Sequence, residues 1–391
     1  MIARRAAATP VALKVVHVTT ASRGVAPGIC AAVEGISRAS AGQAGLTVGV
    51  VGVVPPTDDW AIGREGSMVR ERVPIQGPRL LSYAPGLATL LESLGPQLVH
   101  QHGAWQLPGV VAAHFCRGKS LPLVLSPHGM FTAVGMASHR GRKSAAWVAY
   151  QRGVSTAADL IHATSISEMT AVRDLGLRNP VAVIPLGVEV SSTLPAKRSK
   201  DRRRAVYLGR LDPLKGVGDL VEAWAAVRPA SWTLTIAGPD HRGYATNLGR
   251  LVATHGLQGV VELRGPVWGG DRDALLESAD LLVLPSYSEN FGLVVAEALA
   301  AAVPVIATTS TPWQCLEDEA CGWLVPRGAK GLAFGLAAAC ASDDDTLRTM
   351  GVRGWRMARS RFNWDRIGAD FSHAYRWLYG GGDRPACVHL G

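Results

Sequence analysis

Several things are scarce in this chain of 391 residues. Charged residues make up only 18% and aromatic residues only 6%, while 48% are hydrophobic, which excludes a disordered or polyelectrolyte chain. Despite that apolar content, no run reaches the roughly 18 uncharged apolar residues that a spanning helix needs. The start, Met1-Ile2-Ala3-Arg4-Arg5, resembles the opening of a secretory signal, but Lys14 breaks the only apolar run that follows. A soluble, cytoplasmic protein is expected. The six cysteines (Cys30, Cys116, Cys315, Cys321, Cys340 and Cys387) are scattered and include no C-x-x-C pair, so a zinc ribbon and a redox motif are both disfavoured. No metal site and no bound cofactor are expected. The phosphate-loop motif is also missing: Arg117-Gly118-Lys119-Ser120 has Ala113 where that motif requires glycine. No G-x-G-x-x-G follows the first strand and no G-x-S-x-G elbow exists, so dehydrogenase and hydrolase readings lack their signals.

What is present is basic charge, unevenly placed. The chain carries a net charge of +9. Residues 1–190 hold 17 Lys and Arg against 10 Asp and Glu, whereas residues 191–391 hold 23 against 21. A basic first half suits an anionic surface or a phosphorylated ligand. Nucleic acid is not expected as a partner, because no basic-aromatic motif or helix-turn-helix pattern accompanies the charge.

Short β-branched runs alternate with helix-period segments along the whole chain. Expected strands are Leu13–Val18, Leu46–Val54, Gln97–His100, Pro122–Ser126, Asp159–Ala163 and Val181–Pro185. A second set comprises Arg204–Gly209, Trp232–Gly238, Val260–Leu263, Asp280–Pro285, Pro304–Thr308 and Gly322–Val325. Unpatterned strands separated by helices indicate buried parallel sheets, and two such sets imply two doubly wound α/β domains. The expected first domain covers 1–190, a polar and basic linker covers 191–203, and the second domain covers 204–363. An amphipathic helix over about 364–380, with Ile367, Phe371, Tyr375 and Leu378 in register, has the option of packing back on the first domain.

Ligands of open α/β sheets sit beyond the carboxyl ends of strands. After Tyr207-Leu208-Gly209 comes a turn holding Arg210 and Lys215, two cations suited to a diphosphate. After the strand ending at Pro285 comes Ser286-Tyr287-Ser288-Glu289-Asn290-Phe291-Gly292-Leu293, then a helix with Glu297 in its first or second turn. Carboxylates there can accept hydrogen bonds from sugar hydroxyls, and free N–H groups from Phe291 to Leu293 can meet oxygens. Taken alone, Arg210 and Lys215 are equally readable as solvated surface residues, and Glu297 as a favourable charge in a first helical turn.

The run from Pro285 to Ala307 resembles the E-x7-E signature of retaining glycosyltransferases of family 4, with Glu289 and Glu297 at its spacing. Ser126-Pro127-His128-Gly129-Met130, His100-Gln101-His102-Gly103, Tyr150-Gln151-Arg152 and Val183-Ile184-Pro185-Leu186-Gly187-Val188 extend the likeness over nearly the whole chain. These are similar to the branch that builds bacterial exopolysaccharide and lipopolysaccharide. The resemblance implies a GT-B fold, α/β, with two Rossmann-like doubly wound domains facing across a cleft. It implies a hexosyl transfer from a nucleotide diphosphate sugar to an acceptor hydroxyl, on a saccharide or a lipid-linked saccharide, with no metal requirement. Arg210 and Lys215 would neutralise the departing diphosphate. Glu289 would hold the transferred sugar, assisted by the backbone of Phe291, Gly292 and Leu293, and Glu297 would hold the ribose. His128 would reach the sugar near the reacting carbon, so His128 and Glu289 are the catalytic candidates. The turn Arg264-Gly265-Pro266-Val267 would lie near the nucleobase. One departure is visible. Where the family has a Gly-Gly pair, this chain has Ala26-Pro27-Gly28-Ile29, with Gly24 upstream; only Gly28 is assignable, and Pro27 lacks a backbone donor. Other outcomes are a GT-B nucleotide-sugar epimerase, or a catalytically weak paralogue that binds glycan or serves an assembly complex.

Among eleven histidines, His17 reads as a hydrogen-bonded core residue, while His102 and His128, each following a strand, are candidates for ligand contact. The stretch from Ser138 to Gly153 sets Arg140, Arg142, Lys143 and Arg152 beside Trp147, Val148 and Tyr150. It reads as a solvated helix face, with peripheral contact at the inner membrane face as the alternative.

Overall fold

The computed structural model describes residues 12–22, 26–195 and 202–391. The expectations for Met1–Arg5, Gly24 and the middle of the basic linker lie outside the described residues. The chain forms two compact units, Met1–Gly187 with Trp364–Gly391, and Val188–Asn363.

In chain order the first unit supplies strands β1 (Leu13–Thr19), β2 (Leu46–Val54), β3 (Gly63–Glu65), β4 (Met68–Pro74), β5 (Leu98–His102), β6 (Leu123–Ser126), β7 (Leu160–Ala163) and β8 (Val181–Val183). Its helices are α1 (Pro27–Ala41), α2 (Leu87–Leu94), α3 (Leu107–Lys119), α4 (Ala133–Ala137), α5 (Arg140–Ala146), α6 (Arg152–Ala157) and α7 (Ile166–Asp174). The second unit supplies β9 (Arg203–Leu208), β10 (Trp232–Ala237), β11 (Val261–Gly265), β12 (Leu281–Leu284), β13 (Val305–Thr308) and β14 (Gly322–Val325). Around them lie α8 (Val217–Val227), α9 (Tyr244–Thr254), α10 (Gly269–Glu277), α11 (Leu293–Ala300), α12 (Cys315–Asp318), α13 (Ala329–Ala341) and α14 (Asp344–Arg361). Finally α15 (Trp364–Gly380) and β15 (Val388–His389) return to the first unit.

The second unit's sheet has the order β11-β10-β9-β12-β13-β14, and all its pairings are parallel. In that Rossmann-like order the winding reverses between β9 and β12, where helix connections diverge and a crevice opens at the strand ends. The first unit's sheet has nine strands, β15-β8-β7-β6-β5-β1-β2-β4-β3. Its parallel core reverses between β1 and β5, and antiparallel β3 and β15 close the two edges. Both cores are runs of buried aliphatics, such as Val16, Val18, Val51 and Val99 in the first and Leu234, Ile236, Leu281 and Ile306 in the second. Burial on both faces is why these strands read as continuous apolar runs.

Three strands were not expected. β3 and β4 carry charged residues at alternate or successive positions (Arg64, Glu65, Arg70, Glu71, Arg72), which hides them from an apolar-run criterion, and β15 has only two residues. The segment expected to be a linker is docked at its start: Trp355 Nε1 and Arg359 donate to the carbonyls of Ser191 and Ser192, and Arg203 already opens β9. Helix α15 buries Ile367, Phe371 and Tyr375 and packs along α1. Trp364 at its start lies against Gly35, where any Cβ would come within 2.0 Å of the indole. No helix among the described residues is long and apolar enough to cross a membrane.

The basic stretch after Ser138 is not uniformly open. Arg140 and Arg142 are exposed, but Lys143 folds back to donate to Ser138 Oγ and the carbonyl of Gly135 and stands 5.6 Å from the Trp105 ring. Val148 is exposed, within a π-helical turn over Trp147–Gln151.

Candidate functional site

In the second unit the sequence brings two loops to the β9/β12 switch point. β9 ends at Leu208, and the buried Tyr207 hydroxyl donates to the carbonyl of Arg210, which holds the loop beyond it. Burial and nearby carboxylates push that phenol far above its usual range, so it remains a donor. Asp212 caps the short turn Pro213–Lys215 by accepting from the Leu214 N–H at 2.9 Å. Gly216 follows with φ +66°, and a Cβ there would sit 2.1 Å from the carbonyl oxygen of Pro285. Only glycine permits that approach. The neighbouring loop is joined to it by the Tyr287 N–H, which donates to Leu214 O at 3.0 Å.

The side chains then converge. Lys215 Nζ donates to Glu289 Oε1 at 2.6 Å, and Ser286 Oγ donates to the same oxygen at 2.8 Å. Arg210 stands on the same turn, half exposed and 3.1 Å from Asp212 Oδ2. Phe291 is buried against Trp313 and Phe362, so only its backbone faces the loop, and its carbonyl accepts from Trp313 Nε1. Gly292 takes φ +80° and α11 begins at Leu293. Glu297 falls in the second turn of α11 and the first turn holds no acidic residue, so a charge capping that turn is not its role. Glu297 instead pairs with Arg272 of α10. Arg272 went unread in the sequence, because nothing within its own helix marks it as a partner for a residue 25 positions on.

In the first unit the β1/β5 switch point gathers histidines. Parallel register pairs His17 with His100 and Thr19 with His102, so His17, His100 and His102 share one face. His102 is the last residue of β5, within the strand and buried, not in the loop after it. His17 Nδ1 lies 2.9 Å from His102 Nε2, and His102 Nδ1 lies 2.9 Å from His128 Nε2. Ser126 links His100 and His162. Burial pulls His17 and His128 down to about 3 and His162 to about 4, with His100 and His102 also well below the ordinary imidazole value, so all five rings are neutral at pH 7. His17, His100 and His102 offer ring nitrogens within 4.8 Å of one another, a grouping in principle able to bind a metal. Both nitrogens of His100 and of His102 are already hydrogen-bonded, so the donor set would have to be dismantled first.

His128 is half-buried, with φ +51°, and Gly129 follows at +79°. A non-glycine residue held in the left-handed region is strained by roughly 1–3 kcal/mol, and such strain collects at functional positions. Buried Glu168 of α7 holds this turn: Oε1 accepts from the Gly129 N–H at 2.6 Å and Oε2 from the Thr164 N–H at 2.8 Å. Glu168 also went unread, since its value lies in a contact 39 residues back. Gly28 lies in the first turn of α1, with Pro27 at a position whose N–H has no intrahelical partner in any helix. The missing donor therefore leaves the helix start intact.

Comparison with known proteins places this arrangement. A profile for a glycosyl transferase 4-like domain matches residues 23–187, and one for glycosyl transferases group 1 matches residues 202–341. A D-inositol 3-phosphate glycosyltransferase of Kineococcus radiotolerans is 31% identical over 312 residues, spanning 71% of this chain and 71% of the relative. Among solved structures, sucrose-phosphate synthase of Thermosynechococcus elongatus superposes with a TM-score of 0.81 at 23% identity, over 95% of this chain and all of that one. Anabaena HepE, crystallised with UDP and glucose, superposes with a TM-score of 0.72 at 21% identity, over 93% of this chain and 99% of that one. With two Rossmann-like α/β units, both profiles matched and a relative aligned over most of its length, the chain belongs to the group 1, family 4-like glycosyltransferases and is a glycosyltransferase.

Proposed function

We propose that this enzyme moves a hexose, with retention at the anomeric carbon, from a nucleotide diphosphate sugar to an acceptor hydroxyl. The contact between Lys215 and Glu289 at the β9/β12 switch point carries the reading. It sets a mobile cation for a diphosphate beside a carboxylate for sugar hydroxyls, at the position where such sheets bind ligands. Arg210 and Lys215 take the charge of the leaving diphosphate. Glu289, with the backbone of Phe291, Gly292 and Leu293, holds the sugar. Glu297, oriented by Arg272, holds the ribose. Gly28 and His128 of the first unit form the acceptor-side contribution, with His128 reaching the sugar and His102, buried with both ring nitrogens bonded to His17 and His128, acting behind it. The complex of Anabaena HepE with UDP and glucose supports a nucleotide-sugar donor.

For the acceptor, the exopolysaccharide-type motifs favour a saccharide, including a lipid-linked one, in surface polysaccharide synthesis. The name of the Kineococcus relative favours a phosphorylated cyclitol as the second reading. Calorimetric titration with a panel of nucleotide sugars, followed by transfer assays on saccharide and inositol phosphate acceptors, tests both steps. A donor that binds and is consumed only with an acceptor supports transfer. Conversion of donor alone points to epimerisation, and tight binding without turnover points to a non-catalytic paralogue.

A further inference from the structure

The buried histidines of the first unit form two hydrogen-bonded strings whose directions are set by their ends. One string ends on the backbone carbonyl of Ile184, which can only accept, so His162 Nε2 carries the hydrogen. His162 Nδ1 is then a lone pair and takes the Ser126 hydroxyl hydrogen at 2.7 Å. Ser126 Oγ in turn accepts from His100 Nε2–H at 2.6 Å, and His100 Nδ1 accepts from the Tyr375 hydroxyl at 2.7 Å. Every ring in this string is neutral and satisfied.

The second string runs from His17 through His102 to His128 and, among the described residues, ends on no carbonyl. Three neutral rings in a row have two possible directions. Pointing inward, His128 Nε2–H donates to His102 and His102 Nε2–H donates to His17, which leaves the hydrogen of His17 Nε2 at the blind end. Pointing outward, each Nδ1–H donates to the next ring and His128 Nδ1–H faces out. The two ends differ. His17 is fully buried, and its Nε2 has no hydrogen-bond partner among the described residues. His128 is only partly buried, and a solvent or ligand oxygen there can meet either a hydrogen or a lone pair. The blind end therefore decides, and a buried N–H without an acceptor is the rarer, costlier outcome in folded proteins.

We propose that His17 and His102 are positioning residues that hold His128 as the neutral Nδ1–H tautomer, so that the string offers a hydrogen, not a lone pair, to the ligand. This rests on the reading that His128 meets the transferred sugar. In that form His128 donates to a hydroxyl or phosphate oxygen and cannot take the acceptor's proton. Fully buried neighbours that resist protonation remove the imidazolium state as well. The titratable groups around the string are His100, His162 and Tyr375, all buried, with Glu168 engaged on the turn that carries His128. Free imidazole leans toward Nε2–H, so an Nδ1–H ring at His128 is a signature of the string and not of the ring itself.

Long-range 1H–15N correlation spectra of the full chain labelled in histidine read the tautomer directly. The expected result is a protonated Nδ1 and bare Nε2 on His128, unchanged from pH 6 to 8. His102→Gln retains an amide donor for His128 Nε2 and keeps this tautomer. His102→Leu lets His128 relax to Nε2–H and lowers kcat/KM about tenfold. A wild-type His128 carrying Nε2–H, or titrating freely in this range, overturns the proposal even if neither variant folds. A correct tautomer with normal turnover by His128→Ala would instead refute the placement of His128 at the sugar, leaving the string as described.

Discussion

Lys215 and Glu289, 74 positions apart, meet at 2.6 Å because β9 and β12 are neighbours and their following loops share the switch point. Each charge neutralises the other in this structure. On the proposed reading, a diphosphate arriving at Lys215 would compete with Glu289 for the ammonium, and a hexose hydroxyl arriving at Glu289 would complete the exchange.

The two residues therefore part company on mutation. Lys215→Ala should weaken binding of the free nucleoside diphosphate and of the sugar nucleotide alike, with turnover or donor affinity down roughly tenfold or more. Glu289→Ala should lower transfer by a similar factor yet leave binding of the nucleoside diphosphate unchanged or tighter, since its competitor for Lys215 is gone. Titration calorimetry with the diphosphate and with the sugar nucleotide separates the two. Equal loss of diphosphate binding in both variants would contradict this division of roles.

Glu297 and Arg272 should behave as one unit. Arg272 touches Glu297 from α10, so Arg272→Ala would free this carboxylate to wander from its proposed place at the ribose. We expect Glu297→Ala to raise the donor KM or lower turnover roughly tenfold, Arg272→Ala to do so less, and the double variant to be no worse than Glu297→Ala. Additive losses in steady-state kinetics would show that Arg272 acts separately.

Gly216→Ala tests the junction itself. The new Cβ would meet Pro285 O at 2.1 Å in a backbone with φ +66°. Strain of roughly 1–3 kcal/mol from the conformation alone, plus the clash, should lower the melting of the second unit and loosen the Lys215–Glu289 contact. A variant with wild-type thermal unfolding and donor affinity would mean that the two loops can separate at little cost.

Much of this was legible in the sequence, for physical reasons that also mark the limits. Buried parallel strands must be apolar throughout, so Leu281–Leu284 and Val305–Thr308 announce themselves, while β4, with Arg70, Glu71 and Arg72 in it, does not. Loop carboxylates such as Glu289 stand out against an apolar background, but Glu168 and Arg272 look like ordinary helix charges until the fold shows what they touch. The alternation His100-x-His102 does place two rings on one face of a strand. That His17, His128 and His162 join them depends on strand order, which no local pattern encodes.

The histidine strings also make the first unit acid-sensitive. In the unfolded chain His17, His100, His102, His128 and His162 titrate near the ordinary value of about 6.5, whereas in the fold burial holds them neutral far below it. With folded values depressed, the unfolded state binds more protons as soon as pH drops below about 6.5, and stability is lost from there down toward the folded values. Above about 6.5 both states are neutral and these rings add no pH dependence. Each ring accounts for about 1.4 kcal/mol per pH unit in the acid range, so several together can exceed the stability of a typical domain near pH 5. All five lie in the first unit, which should unfold ahead of the second on acidification. Denaturant melts at pH 7.5 and 5.5, followed by Trp fluorescence and limited proteolysis, should show the fragment around 202–363 outlasting the rest at the lower pH. His17→Phe should reduce the proton uptake on unfolding by about one. Simultaneous loss of both units at pH 5.5, or a pH slope unaltered in His17→Phe, would show that the neutral strings do not govern acid stability.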